Sequence, residues 1–196
     1  MTRTVIVFAR APRLGRVKRR LAAGIGDIAA LRFYRTTTER VVRRLARDRR
    51  WRTVLAVTGG AARWPRGVPR IAQRGDDLGQ RMGNAIRAAP RGPVVLVGSD
   101  IPDLRPRHVA RAFHALAGHD AVFGPAADGG YWLVGVRDRA LLLRRLFGEV
   151  RWSTAHTLED TIANLPEGRR HVLVDALDDV DDAASWRRWL GRRRGC

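Results

Sequence analysis

An α/β protein in one domain, built on a mainly parallel sheet flanked by helices, is what this sequence predicts. Three observations carry that reading. Apolar runs of strand length alternate with longer amphipathic stretches, the pattern of repeated β-α units. One run, Pro93-Val94-Val95-Leu96-Val97-Gly98, is apolar on both faces, as a central parallel strand should be. The length of 196 residues with 45% hydrophobic content suits a single domain with a sizeable core.

Taken in order, Thr4-Val5-Ile6-Val7-Phe8-Ala9 reads as the first strand. A helix is expected over 27–49, with Asp27 as its N-cap and Ile28, Leu31, Tyr34, Thr38, Val41, Val42 and Leu45 on one face. Strands follow at 53–57 and 70–73, separated by the loop Trp64-Pro65-Arg66-Gly67, and a helix over 78–88. The central strand ends at Ser99-Asp100, and a helix over 106–117 with a strand at 120–123 comes next. A strand at 131–136, helices over 139–146 and up to 165, a strand at 171–174 and a helix from 183 complete the chain. The domain is expected over 1–190, with 191–196 as a basic, solvated tail around Arg192, Arg193 and Arg194.

Composition excludes several classes of function. No run of about 18 apolar residues is present to span a membrane. The apolar segment after Met1-Thr2-Arg3 is too short for a signal peptide, so a cytoplasmic protein is expected. A single cysteine, Cys196, forms neither an intrachain disulfide nor a thiolate metal cluster. The formal charge of +19 invites a nucleic-acid partner, but arginine is spread along nearly every segment, aromatic residues are only 7%, and no RNP, zinc-finger or helix-turn-helix pattern is present. No specific nucleic acid is therefore expected, although polyanions should be attracted. Of the 38 basic residues only Lys18 is a lysine, which sets it apart from a general arginine bias.

Four segments carry candidate chemistry. The loop from Arg10 to Leu21, with Pro12, Gly15, Lys18 and Arg20, has the outline of a phosphate trap: a glycine for a tight turn, main-chain amides and two cations. It matches neither the Walker spacing nor Gly-x-Gly-x-x-Gly, so ATPase and dehydrogenase readings lose their best support. Its bland alternative is a solvated connection. Asp100, immediately after the central strand, is placed for ligand chemistry, because open α/β sheets bind ligands outside the carboxyl ends of their strands. Mg²⁺ is held by one or two carboxylates while substrate phosphates complete its shell. Asp103 is expected to cap the following helix instead. In Asp128-Gly129-Gly130-Tyr131 the glycines permit close approach of a ligand and the aromatic residue could wall a sugar or base; a plain turn is the alternative. Finally, Asp178-Asp179-Val180-Asp181-Asp182 suggests a second metal ligand, with Asp182 or Asp181 as N-cap of the last helix. The histidines have no partner at metal-ligand spacing. Trp186 and Trp189 are three apart and read as a packing face; an exposed face would instead imply a homodimer contact.

Six segments in order give the chain a resemblance to the DUF2064 family of small glycosyltransferase-A-like (GT-A) proteins. They are Phe8-Ala9-Arg10-Ala11-Pro12 with Gly15-Arg16-Val17-Lys18 and Arg20-Leu21; Gln73-Arg74-Gly75-Asp76-Asp77-Leu78-Gly79-Gln80-Arg81-Met82; Gly98-Ser99-Asp100-Ile101-Pro102; Gly124-Pro125 with Asp128-Gly129-Gly130-Tyr131; Trp152-Ser153-Thr154; and Asp179-Val180-Asp181. The resemblance implies a GT-A fold with a Rossmann-like sheet and a divalent metal on the aspartate after the central strand. It also implies kinship with nucleotidyltransferases that have a basic N-terminal loop. The family usually has threonine where this chain has Arg19, and proline where it has Ala155.

The expected function is transfer from a nucleotide-sugar donor to a small-molecule acceptor, assisted by Mg²⁺ or Mn²⁺. Nucleotidyl transfer from a nucleoside triphosphate and a non-catalytic nucleotide- or polyanion-binding module are the alternatives. Lys18, Arg20 and Asp100 are the expected catalytic residues. Ala9, Arg10, Pro12, Gly15, Asp77, Gly79 and Ser99 join Lys18 and Arg20 in binding the nucleotide. Asp128, Gly129, Gly130 and Tyr131 are expected to bind the acceptor, and Asp100 with Asp181 or Asp179 to hold the metal.

Overall fold

The computed structural model describes residues 2–139 and 145–194. Strands β1 (Thr4–Arg10), β2 (Arg52–Thr58), β3 (Arg70–Ala72), β4 (Val94–Gly98), β5 (Ala121–Pro125), β6 (Tyr131–Val136) and β7 (His171–Leu173) form one sheet. Their order is β3-β2-β1-β4-β6-β5-β7. All neighbours pair in parallel except β6, which runs antiparallel to both β4 and β5. The helices are α1 (Arg19–Ile25), α2 (Asp27–Ala46), α3 (Leu78–Ala88), α4 (Pro106–Ala115), α5 (Thr157–Ala163) and α6 (Ala183–Arg194). The α/β class and mainly parallel sheet are as the sequence predicts, with β6 as the reversed strand.

Alternation along the central strands divides the core between the two faces of the sheet. Val5, Val7 and Ala9 of β1 with Val95 and Val97 of β4 pack under Val41, Val42 and Leu45 of α2 and Val109, Ala112 and Phe113 of α4. Ile6, Val94 and Leu96 point the other way, onto Met82, Ala85 and Ile86 of α3. A third cluster joins Leu21 of α1, Ala30 and Phe33 of α2, Val180 and Trp189. Phe33 meets Trp186 edge-on with ring centroids 4.9 Å apart, so Trp186 and Trp189 form the packing face expected of them.

Several local expectations are corrected. Gly26, at φ 85°, is the N-cap of α2, and Asp27 opens the helix, where its charge still suits the positive end of the dipole. Ile28 is 78% exposed: the buried stripe of α2 centres on Phe33, Tyr34, Thr37, Thr38 and Val41, and at about 100° per residue Ile28 lies off it. Helix α1 is a separate element that sequence reading leaves inside the first loop. Arg105, not Asp103, caps α4, with Pro106 at the first turn, while Asp103 pairs with Arg192 at 3.3 Å. The last helix continues through Arg194, so its basic end is helical rather than a frayed tail. The helix expected over 139–146 falls largely outside the described residues. No helix among the described residues is long and apolar enough to cross a membrane.

Candidate functional site

Sheet polarity decides what meets at the site. β1 and β4 lie side by side in parallel, so Arg10 and the Ser99-Asp100 step leave the sheet at the same edge. Because β6 is antiparallel, its first residue, Tyr131, returns to that edge, and the turn from Ala126 to Gly130 hangs over it. After β7 the chain crosses the same edge, held by Leu177 N donating to Pro125 O (3.2 Å) and Trp132 Nε1 donating to Asp175 O (2.8 Å). That crossing delivers Asp179 and Asp181.

The four charged groups converge. Lys18 Nζ lies 2.7 Å from Asp100 Oδ2, 2.8 Å from Asp181 Oδ1 and 3.3 Å from Asp179 Oδ2, with its side chain only 3% exposed. Carboxylate oxygens of Asp100, Asp179 and Asp181 all lie within 4.8 Å of one another, a spacing that could hold a metal ion. Arg20 is 80% exposed and approaches from solvent, its Nη1 3.8 Å from Asp181 Oδ2. Asp182 accepts from Ser185 N at 2.7 Å and takes the N-cap position of α6, which leaves Asp181 free to face Lys18.

Electrostatics follow from burial and charge. Burial opposes the charge on Lys18, but the three carboxylates outweigh it and hold its pKa above the ordinary lysine value. Burial, reinforced by the charges of Asp100 and Asp181, outweighs the attraction of Lys18 and pushes the Asp179 carboxyl up to about 6. Lys18 sits in the left-handed backbone region at φ 49°, as the N-cap of α1, without a side-chain cap. A non-glycine residue rarely adopts that conformation, and it fits with a side chain fixed by its ionic contacts.

Beside the carboxylates opens a cavity of about 220 Å³. Asp100 and Asp179 reach it, as do Asp128, Gly130 and Tyr131, and Trp152-Ser153-Thr154 form part of its rim. Asp128 Oδ1 accepts from Gly130 N (2.9 Å), which tightens the turn. Gly129, at φ 81°, runs against the backbone of Ala155, where any Cβ would collide. The Tyr131 hydroxyl is turned into the core: buried next to Thr161, it has no well-formed hydrogen bond, and burial drives its pKa up. Tyr131 therefore offers the cavity its ring rather than its hydroxyl.

Other expected nucleotide contacts are placed differently. Ser99 is 2% exposed, with its Oγ 3.4 Å from Tyr34 Oη, so it faces the core. Tyr34 Oη also bonds both Arg10 N (2.9 Å) and Arg10 O (3.0 Å), committing that backbone. Ala9 O accepts from Gln73 Nε2 at 2.9 Å. Asp77 is the N-cap of α3, its two oxygens held by Gln80 N (2.7 Å) and Gln80 Nε2 (3.0 Å). Gly79 makes room for Trp152 and Phe147, a packing role. Gly15, at φ 67°, makes the turn expected of it. Pro12 borders a different cavity, about 660 Å³, between α2 and the β2–β3 loop; it is larger, lined by Arg35, Arg43, Arg47, Arg63 and Arg66, and contains none of the clustered aspartates. Size favours that cleft, but the converging opposite charges make the smaller one the candidate site.

Trp152-Ser153-Thr154, a shared segment with no role evident from the residues alone, lies on the cavity rim. Ser153 adopts φ 62°, and Arg151 clamps Asp160 through Nη2 at 2.7 Å and Nε at 2.9 Å. No spacing rule reveals that clamp, because it depends on the approach of α5.

A charged cluster outside the carboxyl ends of the strands lies where open, mainly parallel α/β sheets bind their ligands. The chain belongs to the DUF2064 family, described as "Uncharacterized protein conserved in bacteria", which it matches over residues 36–154. Of the charged cluster, only Asp100 lies within that stretch. No curated protein sequence matches the chain. Among solved structures it is similar to a "putative nucleotide-diphospho-sugar transferase" from Desulfovibrio desulfuricans G20, at 31% identity over 93% of this chain and 84% of the other, with a TM-score of 0.84. It is also similar to Rv0371c from Mycobacterium tuberculosis H37Rv in complex with manganese (21% identity, 97% and 99% covered, TM-score 0.57). A CMP:2-keto-3-deoxy-manno-octonic acid synthetase complexed with CTP is a third (13% identity, 100% and 99% covered, TM-score 0.62). At these lower identities the last two show a common fold.

Proposed function

We propose that this protein is a metal-assisted transferase that takes its donor from a nucleotide-sugar and passes the glycosyl group to a small acceptor. The observation that carries the reading is the convergence of Lys18 with Asp100, Asp179 and Asp181 beside a 220 Å³ cavity at the carboxyl edge of the sheet. The three carboxylates suit a hard cation: all are oxygen donors, close together, and a cation, the Lys18 ammonium, already lies among them. Mg²⁺ or Mn²⁺ held there would neutralise the donor diphosphate. The 31% identical nucleotide-diphospho-sugar transferase supports the donor class.

The chain's own residues divide the remaining work. Arg20, exposed beside Asp181, meets the charge that develops on the leaving diphosphate. Gly15 shapes the loop that brings Lys18 and Arg20 to the same anion. Asp128, Gly130 and the rings of Tyr131 and Trp152 border the cavity and would hold the acceptor, while Gly129 shapes the turn behind them. The bond broken in this reading joins sugar to phosphate. Nucleotidyl transfer, which would break a phosphate-phosphate bond on the same grip, is favoured by the shared fold of the CTP-bound synthetase.

Thermal-shift titration with nucleotide-sugars and nucleoside triphosphates, with and without Mg²⁺, tests the reading. Metal-dependent stabilisation that Asp100→Asn removes is the expected outcome. Equal stabilisation by heparin, indifferent to the substitution, would replace it with a polyanion-binding module. Product analysis on the ligand that responds then separates glycosyl from nucleotidyl transfer.

A further inference from the structure

The position of Lys18 raises a question that its expected role as a phosphate contact does not answer. Its ammonium is not at the rim facing the cavity but in the middle of the carboxylates, 2.7–3.3 Å from all three and almost wholly buried. We propose that Lys18 is a tethered cation that competes with the divalent ion for the Asp100-Asp179-Asp181 site and leaves it when the ion enters. This deepens the functional reading above and rests on its metal site.

Three physical points support competition. Divalent ions bind carboxylate oxygens at about 2.0–2.6 Å, so an ion on these oxygens and an ammonium at the observed distances would occupy overlapping space. Three carboxylates against one ammonium leave the cluster under-neutralised, with Arg20 only at its edge, so a doubly charged ion satisfies it better than Lys18 does. Tethering favours Lys18 in return, because a cation attached to the loop acts at high effective concentration and its displacement is never free.

The backbone is suited to the exchange. Lys18 O accepts from Ala22 N at 2.8 Å, which anchors the residue to α1, while the left-handed backbone at φ 49° aims the side chain inward. Ahead of it, Leu14 is exposed and Gly15 makes an open turn, so the loop up to Arg16 faces solvent, while Val17 is buried and anchors its end. A displaced ammonium needs a new anionic partner, and the phosphates of the donor would lie within reach of the same loop. Metal and donor should then bind cooperatively, each making room for the other.

Because Lys18 is the only lysine of the chain, the experiment has a single reporter. Full-length protein labelled with ¹⁵N-lysine should give one Nζ resonance protected from solvent exchange. Titration with Mg²⁺ alone should remove or shift it as the ammonium moves into water. In parallel, Mn²⁺ binding is measured by electron paramagnetic resonance for the wild type, Lys18→Met and Lys18→Gln. Both variants should bind Mn²⁺ at least tenfold more tightly, and their melting temperatures should fall without metal and recover with it. Wild type that binds Mn²⁺ while both variants bind it no better would overturn the competition and leave the metal-assisted reading standing. Absence of Mn²⁺ binding in all three proteins would overturn both. Should one variant fail to fold even with metal, the wild-type resonance decides: a protected signal that persists at Mg²⁺ saturation ends the proposal.

Discussion

Two charged regions of this molecule differ in almost every respect except location on its surface. In the cleft between α2 and the β2–β3 loop, Arg35, Arg43, Arg47, Arg63 and Arg66 surround a single acid, Glu39, which pairs with Arg43 at 2.7 Å. Those arginines are exposed and belong to an open space of about 660 Å³. At the carboxyl edge of the sheet, one lysine and three aspartates are drawn from segments more than 160 positions apart at their extremes and locked at hydrogen-bond distance. The net charge of the protein resides in regions like the first. The proposed function uses the second, where opposite charges are desolvated and held before a ligand arrives. Quantity of charge attracts; arrangement of charge selects.

Removing Asp100 should break the comparison most severely. Asp100→Asn is expected to cost on the order of 100-fold in transferase activity, the scale on which loss of one preorganised electrostatic partner acts. Steady-state kinetics at saturating Mg²⁺ checks it, and a loss below tenfold would shift the site elsewhere. Next is the turn over the cavity: Gly129→Ala combines a positive φ with a collision against the Ala155 backbone and should destabilise the fold by about 2 kcal/mol. Urea unfolding measures that, and a neutral result would show that the turn is not pinned.

The rim clamp gives a pH signature. Hydrogen bonds from Arg151 hold the Asp160 carboxyl down at about 2, so the clamp is complete above the unfolded carboxylate value of ~3.9 and is lost as pH falls through about 2. Beside any change near pH 6 from Asp179, which lines the same cavity, the part of the fluorescence lost in Trp152→Phe should show a separate step below about pH 4. In Asp160→Asn that acid step should disappear. Tyr131→Phe should alter stability by no more than about 0.5 kcal/mol, because the hydroxyl it removes has no well-formed partner. A rise in acceptor KM in that variant would return the hydroxyl to the site. Smallest of all, replacing Arg35, Arg47 and Arg63 with alanine should weaken heparin retention while leaving metal-dependent nucleotide binding within about twofold, since screened surface charges act at short range. A larger effect on nucleotide would join the two regions functionally.

Much of this was legible in the residues. The class of fold, the central strand ending at Asp100 and the turn at Gly129 follow from local rules of periodicity, propensity and backbone freedom, and those rules operate over neighbours in the chain. The long-range resemblance drew Lys18, Asp179 and Asp181 into one list of residues without saying how they meet. Asp77 and Ser99 show the limit. Each lies in a segment that suggests ligand contact, yet one is spent on capping α3 and the other faces Tyr34. A polar side chain serves whichever partner the packing brings nearest, and sequence does not record that choice.

The sequence by itself determined the alternation of strands and helices, the single lysine and the carboxylates available to surround it. Tertiary structure alone decided that β6 runs antiparallel, that the segment after β7 crosses the sheet edge, and that Lys18 points inward to three aspartates. The reason is physical: strand and helix propensities act over a few residues, whereas the geometry of a buried ionic cluster is set by the burial of a core on both faces of the sheet.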